Sequence, residues 1–347
     1  MKNKIGIIGI RGLPAKYGAF DTFVDQLINS NITHNANNIY FVSCAKNFEK
    51  ELYDCKNVER IFIYRGNGIL ILINYLLSII IMLLKGVRKF IFFGYGAAIF
   101  FPLIKLFRGK IVCNPDGIEW RRPEGKLKKL FFKFSELLVS KQDISKIYDS
   151  KVIKKYYNLI HKSDGIVAYY PSGFENKTKI KASEKLFERF YILGRLLEEN
   201  NTEIIIKAFS NSDSKQKLYI FGNSNDYFRK KILPIVNKSK NIFFIGPVYN
   251  REKLFRLCSL CDYYVHGHSV GGTNPTLIEA MNLQKKIISF KTFFNKEILG
   301  TNATYFRTEK DLINILKSGN YKSEKIPSYK KEFQAEHINK IYLDLVK

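Results

Sequence analysis

His266-Gly267-His268-Ser269-Val270-Gly271-Gly272-Thr273-Asn274-Pro275-Thr276-Leu277-Ile278-Glu279-Ala280-Met281 passes from a strand into a glycine-rich loop and then into a helix. Just before it, Asp262-Tyr263-Tyr264-Val265 has the aromatic and β-branched make-up of a strand, while Thr276 to Leu283 has helix-forming spacing. The adjacent Gly271 and Gly272 let the backbone approach a ligand closely, and the loop's amides sit at a helix N-terminus, where a phosphate is stabilised. Glu279 falls about one turn into that helix, within reach of hydroxyls on a phosphate-bearing ligand. A bare Gly-Gly pair would read as an ordinary strand-to-helix turn. In the company of His-Gly-His-Ser, Asn-Pro and Glu-Ala-Met it reads as an anion cradle.

The same strand-loop-helix rhythm recurs along the chain. In the second half the spacing predicts strands over 190–193, 217–221, 242–245, 263–266 and 286–290, with helices over 201–209, 226–236, 251–260 and 276–282. In the first half it predicts strands over 4–8, 39–43, 60–64, 90–93, 110–113 and 165–168, with helices over 22–29, 69–84, 97–106, 127–140 and 151–157. Alternation of this kind is the signature of doubly wound parallel sheets. At 347 residues two cores are expected, since single cores seldom grow beyond roughly 250 to 300 residues. The expected division is a Rossmann-like domain over 1–170 and a second over 188–325, facing a central cleft. A last helix over 330–346 is expected to pack back on the first domain.

Charge is the compositional outlier: 57 Lys and Arg against 31 Asp and Glu give +26. Such an excess favours a polyanionic partner, whether an anionic membrane leaflet, nucleic acid or phosphorylated substrates. Five cysteines, without disulfide-scaffold density, suit a reducing cytoplasm. Cys258 and Cys261 form a CxxC within an apolar helical pattern and are read as core residues, with no second pair at zinc spacing. No secretory signal precedes the first strand. The aliphatic run from Ile69 to Leu84, at 16 residues, falls short of the roughly 20 needed to cross a bilayer and is read as a buried or interfacial helix.

Several strand ends carry chemistry. Gly9-Ile10-Arg11-Gly12-Leu13-Pro14-Ala15-Lys16-Tyr17-Gly18-Ala19-Phe20-Asp21-Thr22 lacks the GxGxxG spacing of a dinucleotide fingerprint, but puts Arg11 and Lys16 where an open α/β sheet binds ligands. Asp116, in Asn114-Pro115-Asp116-Gly117-Ile118-Glu119-Trp120, is either a sugar-contacting carboxylate or the head of an Asp-Gly turn. Arg195, in Leu193-Gly194-Arg195-Leu196, is either a surface arginine or a fork for a diphosphate. Gly246-Pro247-Val248-Tyr249 suits a base-binding wall. Arg121, Arg122, Lys126, Lys128, Lys129 and Lys133 flank Leu130-Phe131-Phe132-Phe134, which is either a membrane headgroup contact or a solvated helix face.

Taken together, Gly9-x-Arg11-Gly12-x-Pro14-Ala15-x-Tyr17-Gly18-x-Phe20-x-Thr22, Asp116-Gly117-x-Glu119-Trp120, Gly194-Arg195-Leu196-x-x-Glu199-Asn200-Asn201 and His266 to Met281 resemble the bacterial rhamnosyltransferase-like branch of the family 4 glycosyltransferases. The resemblance implies a GT-B fold, a retaining transfer from a dTDP-sugar or UDP-sugar, and neither cofactor nor catalytic metal. It implies catalytic roles for Asp116, Arg195 and Glu279. Donor contacts would come from Arg11, Gly12, Arg195, Gly246, Val248, His268, Ser269, Gly271, Gly272, Thr273, Asn274 and Glu279. Acceptor contacts would come from Lys16, Tyr17, Gly18, Asp21, Glu119 and Trp120. Two positions depart from the wider family: Gly271 stands where it has a Glu, and Asn200 where it has a phosphate-binding Lys.

The expected activity is transfer of a hexose, plausibly rhamnose, to a lipid-linked or other saccharide of capsule or O-antigen, by a cytoplasmic enzyme peripheral to an anionic inner membrane. Nucleic acid is not an expected partner. A basic nucleic-acid-binding protein, or another sugar-nucleotide enzyme such as an epimerase, are the alternatives.

Overall fold

The computed structural model describes residues 3–15, 18–34, 38–64, 69–121, 125–172, 188–212, 215–319, 321 and 325–346. The chain forms two compact units, Met1–Pro171 together with Lys331–Lys347, and Ser172–Lys330.

In the first unit the strands β1 (Asn3–Ile8), β2 (Asn38–Ala45), β3 (Val58–Ile63), β4 (Lys89–Phe93), β5 (Lys110–Asn114), β6 (Ser145–Tyr148) and β7 (Ile166–Val167) build one parallel sheet in the order β3-β2-β1-β4-β5-β6-β7. Strands such as Ile5 to Ile8 and Phe90 to Phe93 are buried on both faces, which is why they read as continuous apolar runs. Helix α1 (Ala19–His34) covers one face through Phe23, Val24, Leu27 and Ile28. Helices α2 (Ile69–Leu84), α3 (Phe101–Leu106), α4 (Lys126–Lys141) and α5 (Lys151–His161) share the core on the other.

The second unit repeats the plan. Strands β8 (Glu188–Leu193), β9 (Gln216–Phe221), β10 (Ile242–Gly246), β11 (Tyr263–His266), β12 (Lys286–Phe290) and β13 (Thr304–Phe306) pair in parallel in the order β10-β9-β8-β11-β12-β13. They are joined by α6 (Thr202–Ser210), α7 (Leu233–Lys238), α8 (Arg251–Ser259), α9 (Pro275–Asn282), α10 (Phe293–Leu299) and α11 (Glu309–Ser318). The final helix, α12 (Ala335–Val346), returns to the first unit. There Tyr342 stacks on Phe93 and packs at a tilt against Phe23, and its hydroxyl accepts from Asn114 Nδ2 at 2.6 Å.

In both sheets the order reverses beside the first strand, between β1 and β4 and between β8 and β11. The carboxyl ends of strands at such a reversal open a crevice, because the following loops leave in opposite directions. The loops after β1, β8 and β11 all lie at these positions.

Several elements depart from the sequence expectation, among them α10, β13 and α11, which follow the last strand it placed in the second unit. β6 was hidden because Lys146 breaks its apolar run; the lysine is buried all the same, its ammonium donating to the Gln142 carbonyl at 2.9 Å. The expected helix over 226–236 runs without a break to Lys238, but widens to π-type turns over Phe228–Ile232 just before Pro234. Pro102 sits at the start of α3, after a tight turn over Ala98–Phe100. The last helix begins at Ala335, later than expected, behind a short turn over Lys331–Phe333. No helix among the described residues is long and apolar enough to cross a membrane.

Candidate donor-binding site

At the ends of β8 and β11 two loops are sewn together. After β8 the chain turns at Gly194, with φ +128°, and the Leu197 amide and Asn200 Nδ2 both donate to the Arg195 carbonyl, at 3.0 and 2.5 Å. After β11 comes Gly267, where a Cβ would lie 2.0 Å from the Asn200 carbonyl, so a side chain there would force the loops apart. Asn201 Nδ2 donates to the Gly267 carbonyl at 2.7 Å, and the amide and hydroxyl of Ser269 donate to the Glu199 carbonyl at 3.1 and 2.6 Å. His268 Nδ1 meets Asn200 Oδ1 at 2.8 Å. Since the Asn200 amide nitrogen is committed to Arg195, its oxygen accepts, and His268 carries a proton on Nδ1.

This stitching brings Arg195, His268, Ser269 and the 271–274 turn to one place. The Arg195 side chain stays 41% exposed, and its contact to Glu199 Oε1, at 3.4 Å, is long for a charged pair. Gly271 takes φ +99° and Gly272 and Thr273 are buried. Asn274 caps α9, its Oδ1 accepting from the Thr276 amide at 2.9 Å and hydroxyl at 2.7 Å. The Thr276 hydroxyl continues to Tyr264 at 2.8 Å and thence to His266 Nδ1 at 3.0 Å. Burial pushes the His266 imidazole down to about 3, so it stays neutral.

Glu279, one turn into α9, is buried. Its Oε1 accepts from Arg251 Nη2 at 2.5 Å, and its Oε2 is buried without a hydrogen-bond partner. Sequence reasoning missed Arg251. No local signal marked it, because the carboxylate it binds lies 28 positions further along the chain. Gly246 ends β10 at φ +85°, Val248 is half-buried, and the Tyr249 hydroxyl beyond them donates to Asn223 Oδ1 at 3.0 Å. Cys258 and Cys261 are buried free thiols in the core behind α8, and desolvation raises the Cys258 thiol well above its ordinary range.

In the first unit the loop after β1 is equally tight: a Cβ at Gly9 would lie 1.9 Å from the Phe93 carbonyl and one at Gly12 would lie 2.7 Å from the Phe48 ring. Asp21 is buried and its Oδ1 accepts from the Arg11 amide at 2.8 Å, while the Gly18 carbonyl accepts from Thr22. Lys16 and Tyr17 lie outside the described residues. After β5, Asp116 takes a left-handed φ of +65° with its amide on Asn114 Oδ1, and the Glu119 amide donates to the Tyr95 hydroxyl at 3.1 Å. Trp120 Nε1 donates to Glu136 Oε2 at 3.1 Å. That buried carboxylate also meets the Tyr156 hydroxyl and His161 Nε2, each at 2.7 Å. Among the described residues no group of three or more His, Cys, Asp or Glu could hold a metal ion.

Residues 174–316 match the model of the glycosyl transferases group 1 family, and residues 2–173 match DUF1972, a domain of unknown function. The chain carries a glycosyl transferases group 1 domain in its carboxyl-terminal half. Its structure resembles sucrose-phosphate synthase from Thermosynechococcus elongatus, with TM-score 0.75, 14% identity and coverage of 100% of this chain and 95% of that one. It also resembles Anabaena HepE in complex with UDP-glucose (TM-score 0.70, 13% identity, 99% of each chain) and the apo lipopolysaccharide outer core galactosyltransferase WaaB (TM-score 0.66, 14% identity, 99% of each chain). Identities this low establish the shared GT-B fold alone. No curated protein matches the chain in sequence.

Proposed function

We propose that this glycosyltransferase uses a dTDP-sugar or UDP-sugar, plausibly of rhamnose, to extend a lipid-linked saccharide of a bacterial surface glycan at the cytoplasmic face of the inner membrane, with retention of configuration. The single observation that carries the donor assignment is Glu279. A buried carboxylate oxygen left without a hydrogen bond costs about 1–3 kcal/mol, a penalty that two ribose hydroxyls would remove on binding. Arg195, tied by the Asn200 and Ser269 hydrogen bonds to the loop that opens α9, supplies positive charge for the diphosphate, together with the amides of Gly271 to Asn274. Gly246 and Val248 border the base, and His268, Ser269 and Thr273 supply the polar contacts to phosphate and sugar. Arg11 and Gly12 complete the donor set in this reading. Lys16, Tyr17, Gly18, Asp21, Glu119 and Trp120 serve the acceptor.

In the reaction the bond from the anomeric carbon to the diphosphate oxygen breaks and leaves an oxocarbenium-like sugar. The acceptor hydroxyl attacks from the face the leaving group vacates, and its proton passes to the departing diphosphate. Arg195 and the main-chain donors stabilise the charge that grows on that diphosphate, and this is where such electrostatic arrangements lower the barrier most. Asp116 is assigned to the positive charge developing on the sugar ring. The chemistry asks for no resident cofactor or metal.

The test is a thermal-shift panel of UDP, dTDP and their sugars, followed by product analysis with a radiolabelled donor, with and without acceptor. Stabilisation by UDP or dTDP and acceptor-dependent transfer of label are expected. Labelled isomer without acceptor would mean an epimerase. Absence of any nucleotide response, with tight nucleic-acid binding at physiological salt, would overturn the reading.

A further inference from the structure

The loop that carries Asp116 is tied down from outside itself. Asn114, 1% exposed at the end of β5, uses both ends of its amide: Oδ1 accepts from the Asp116 amide at 2.9 Å, and Nδ2 donates to the Tyr342 hydroxyl at 2.6 Å. A backbone N–H can only donate, so the Asn114 amide has one orientation here and the Tyr342 oxygen is its acceptor. Tyr342 is buried as deeply, its ring stacked on Phe93 and tilted against Phe23, so core packing sets where its hydroxyl lies. Burial also pushes the Tyr342 phenol above its ordinary range and keeps it neutral. On the far side of Asp116 the Glu119 amide donates to the Tyr95 hydroxyl and the Trp120 indole to Glu136. Between the two tethers lie only Pro115, Asp116, Gly117 and Ile118, with Asp116 held at φ +65°.

A turn of this kind does not need a partner from the other end of the chain. An asparagine oxygen bonded to the amide two residues on closes an Asx turn by itself, on any exposed loop. Here the asparagine is buried and its nitrogen is bonded to a residue 228 positions away, on the last helix of the chain. A buried polar network is costly unless its members are satisfied, and when they are it fixes one geometry. What this one fixes is the backbone that aims the Asp116 carboxylate. We infer that Asn114 and Tyr342 are positioning residues for Asp116: the carboxyl-terminal helix, through the Tyr342 hydroxyl and the Asn114 amide, holds that carboxylate where it meets the positive charge developing on the transferred sugar. The inference deepens the proposed role of Asp116 and rests on it, but not on which nucleotide carries the sugar.

Release of UDP or dTDP from the donor sugar that gives the largest thermal shift, with water as the acceptor, reads this role in the full-length protein without a saccharide acceptor. Tyr342→Phe, which keeps the ring and removes the hydroxyl, and Asn114→Ala should each lower kcat about tenfold while changing donor KM less than about twofold. Both should still unfold cooperatively and keep their thermal response to UDP or dTDP, which separates a misaimed carboxylate from a lost fold. Ile338→Val, which trims the buried side of the same helix without touching the hydroxyl, should leave kcat unchanged even where the melting temperature falls. In an Asp116→Asn background Tyr342→Phe should lower kcat no further, since a tether that acts through the carboxylate has nothing left to aim. Three results overturn the inference alone: wild-type kcat in both Tyr342→Phe and Asn114→Ala, a loss in Tyr342→Phe that multiplies with that of Asp116→Asn, or an equal loss in Ile338→Val. Full turnover in Asp116→Asn, or no release from any donor, removes the proposed role of Asp116 and the inference with it.

Discussion

At the loops after β8 and β11 polar groups hold capacity in reserve, whereas after β1 and β5 the residues singled out for a ligand are largely spent on the protein itself. Arg195 keeps an exposed guanidinium and Glu279 keeps a buried oxygen with no partner. By contrast Asp21 is turned inward to hold the Arg11 amide, and the Trp120 indole nitrogen is bound to Glu136. The loop after β1 lies at the same kind of topological position as those after β8 and β11, so the fold alone does not decide which of them binds. A buried polar atom without a hydrogen bond does not by itself mark a ligand site, since Gln142 Oε1 and the Tyr157 hydroxyl of the first unit are in the same state; what distinguishes the loops after β8 and β11 is that such an oxygen, on Glu279, accompanies the exposed charge of Arg195.

The sharpest way to break this contrast is Arg195→Ala. If its charge meets the leaving diphosphate, turnover should fall about 100-fold or more in a donor-transfer assay, with an unchanged melting temperature because the side chain carries little of the fold. Arg195→Lys should recover only part of the loss, since a point charge replaces a planar fork. Wild-type turnover in the alanine variant would reduce Arg195 to a surface residue.

Glu279→Gln comes next. The amide keeps the volume but gives up the charge paired with Arg251, and it offers a weaker acceptor to ribose hydroxyls. Affinity for UDP or dTDP should drop about tenfold by calorimetry, corresponding to about 1.4 kcal/mol. An Arg251→Met variant should move in the same direction by a smaller factor, since it frees Glu279 Oε1 but withdraws the charge that orients the carboxylate. Unaltered affinity in both would mean that the orphaned oxygen serves no ligand.

How far the sequence revealed this arrangement depends on how local each determinant is. The cradle from His266 to Met281 was legible because its parts are neighbours in the chain: the strand, the glycines, the Asn274 cap and Glu279 follow one another at fixed spacing. The alternation of strands and helices was legible for the same reason. Arg251 was not, because 28 positions separate it from the carboxylate it binds. The Glu136 cluster was hidden more deeply still: its partners come from the turn after β5 and from α5, and only packing unites them. β6 escaped because a buried lysine imitates a surface pattern. The apolar excess of α2 was plain, but the sequence left open which side of that helix met the core.

A third prediction uses the relay that anchors α9. His266 remains neutral in the folded protein down to about pH 3, whereas an imidazole freed by unfolding takes its proton near 6.5. Between these values the unfolded chain binds more protons, so the stability owed to this residue is complete above 6.5 and drains away as pH falls toward 3. Replacing it in His266→Gln should flatten the acid limb of urea-unfolding midpoints while lowering the neutral-pH midpoint modestly through loss of the Tyr264 contact. An acid limb identical to wild type would show that His266 is not buried as described.

The smallest expected change in stability tests the other side of the comparison. Asp116 holds a left-handed backbone, a conformation that glycine adopts at almost no cost and that Asp tolerates better than most residues. Asp116→Gly should therefore leave the unfolding midpoint level or raise it by up to about 1 kcal/mol, the strain relief being partly offset by the extra freedom glycine gives the unfolded chain. If Asp116 is only the head of an Asp-Gly turn, the glycine variant keeps full turnover. If its carboxylate faces positive charge on the transferred sugar, turnover collapses in Asp116→Gly and in Asp116→Asn alike while both remain folded. The second outcome would place a working group on the amino-terminal unit at a position where the backbone is strained, and strain retained against an easy substitution is itself an argument for a role beyond the turn.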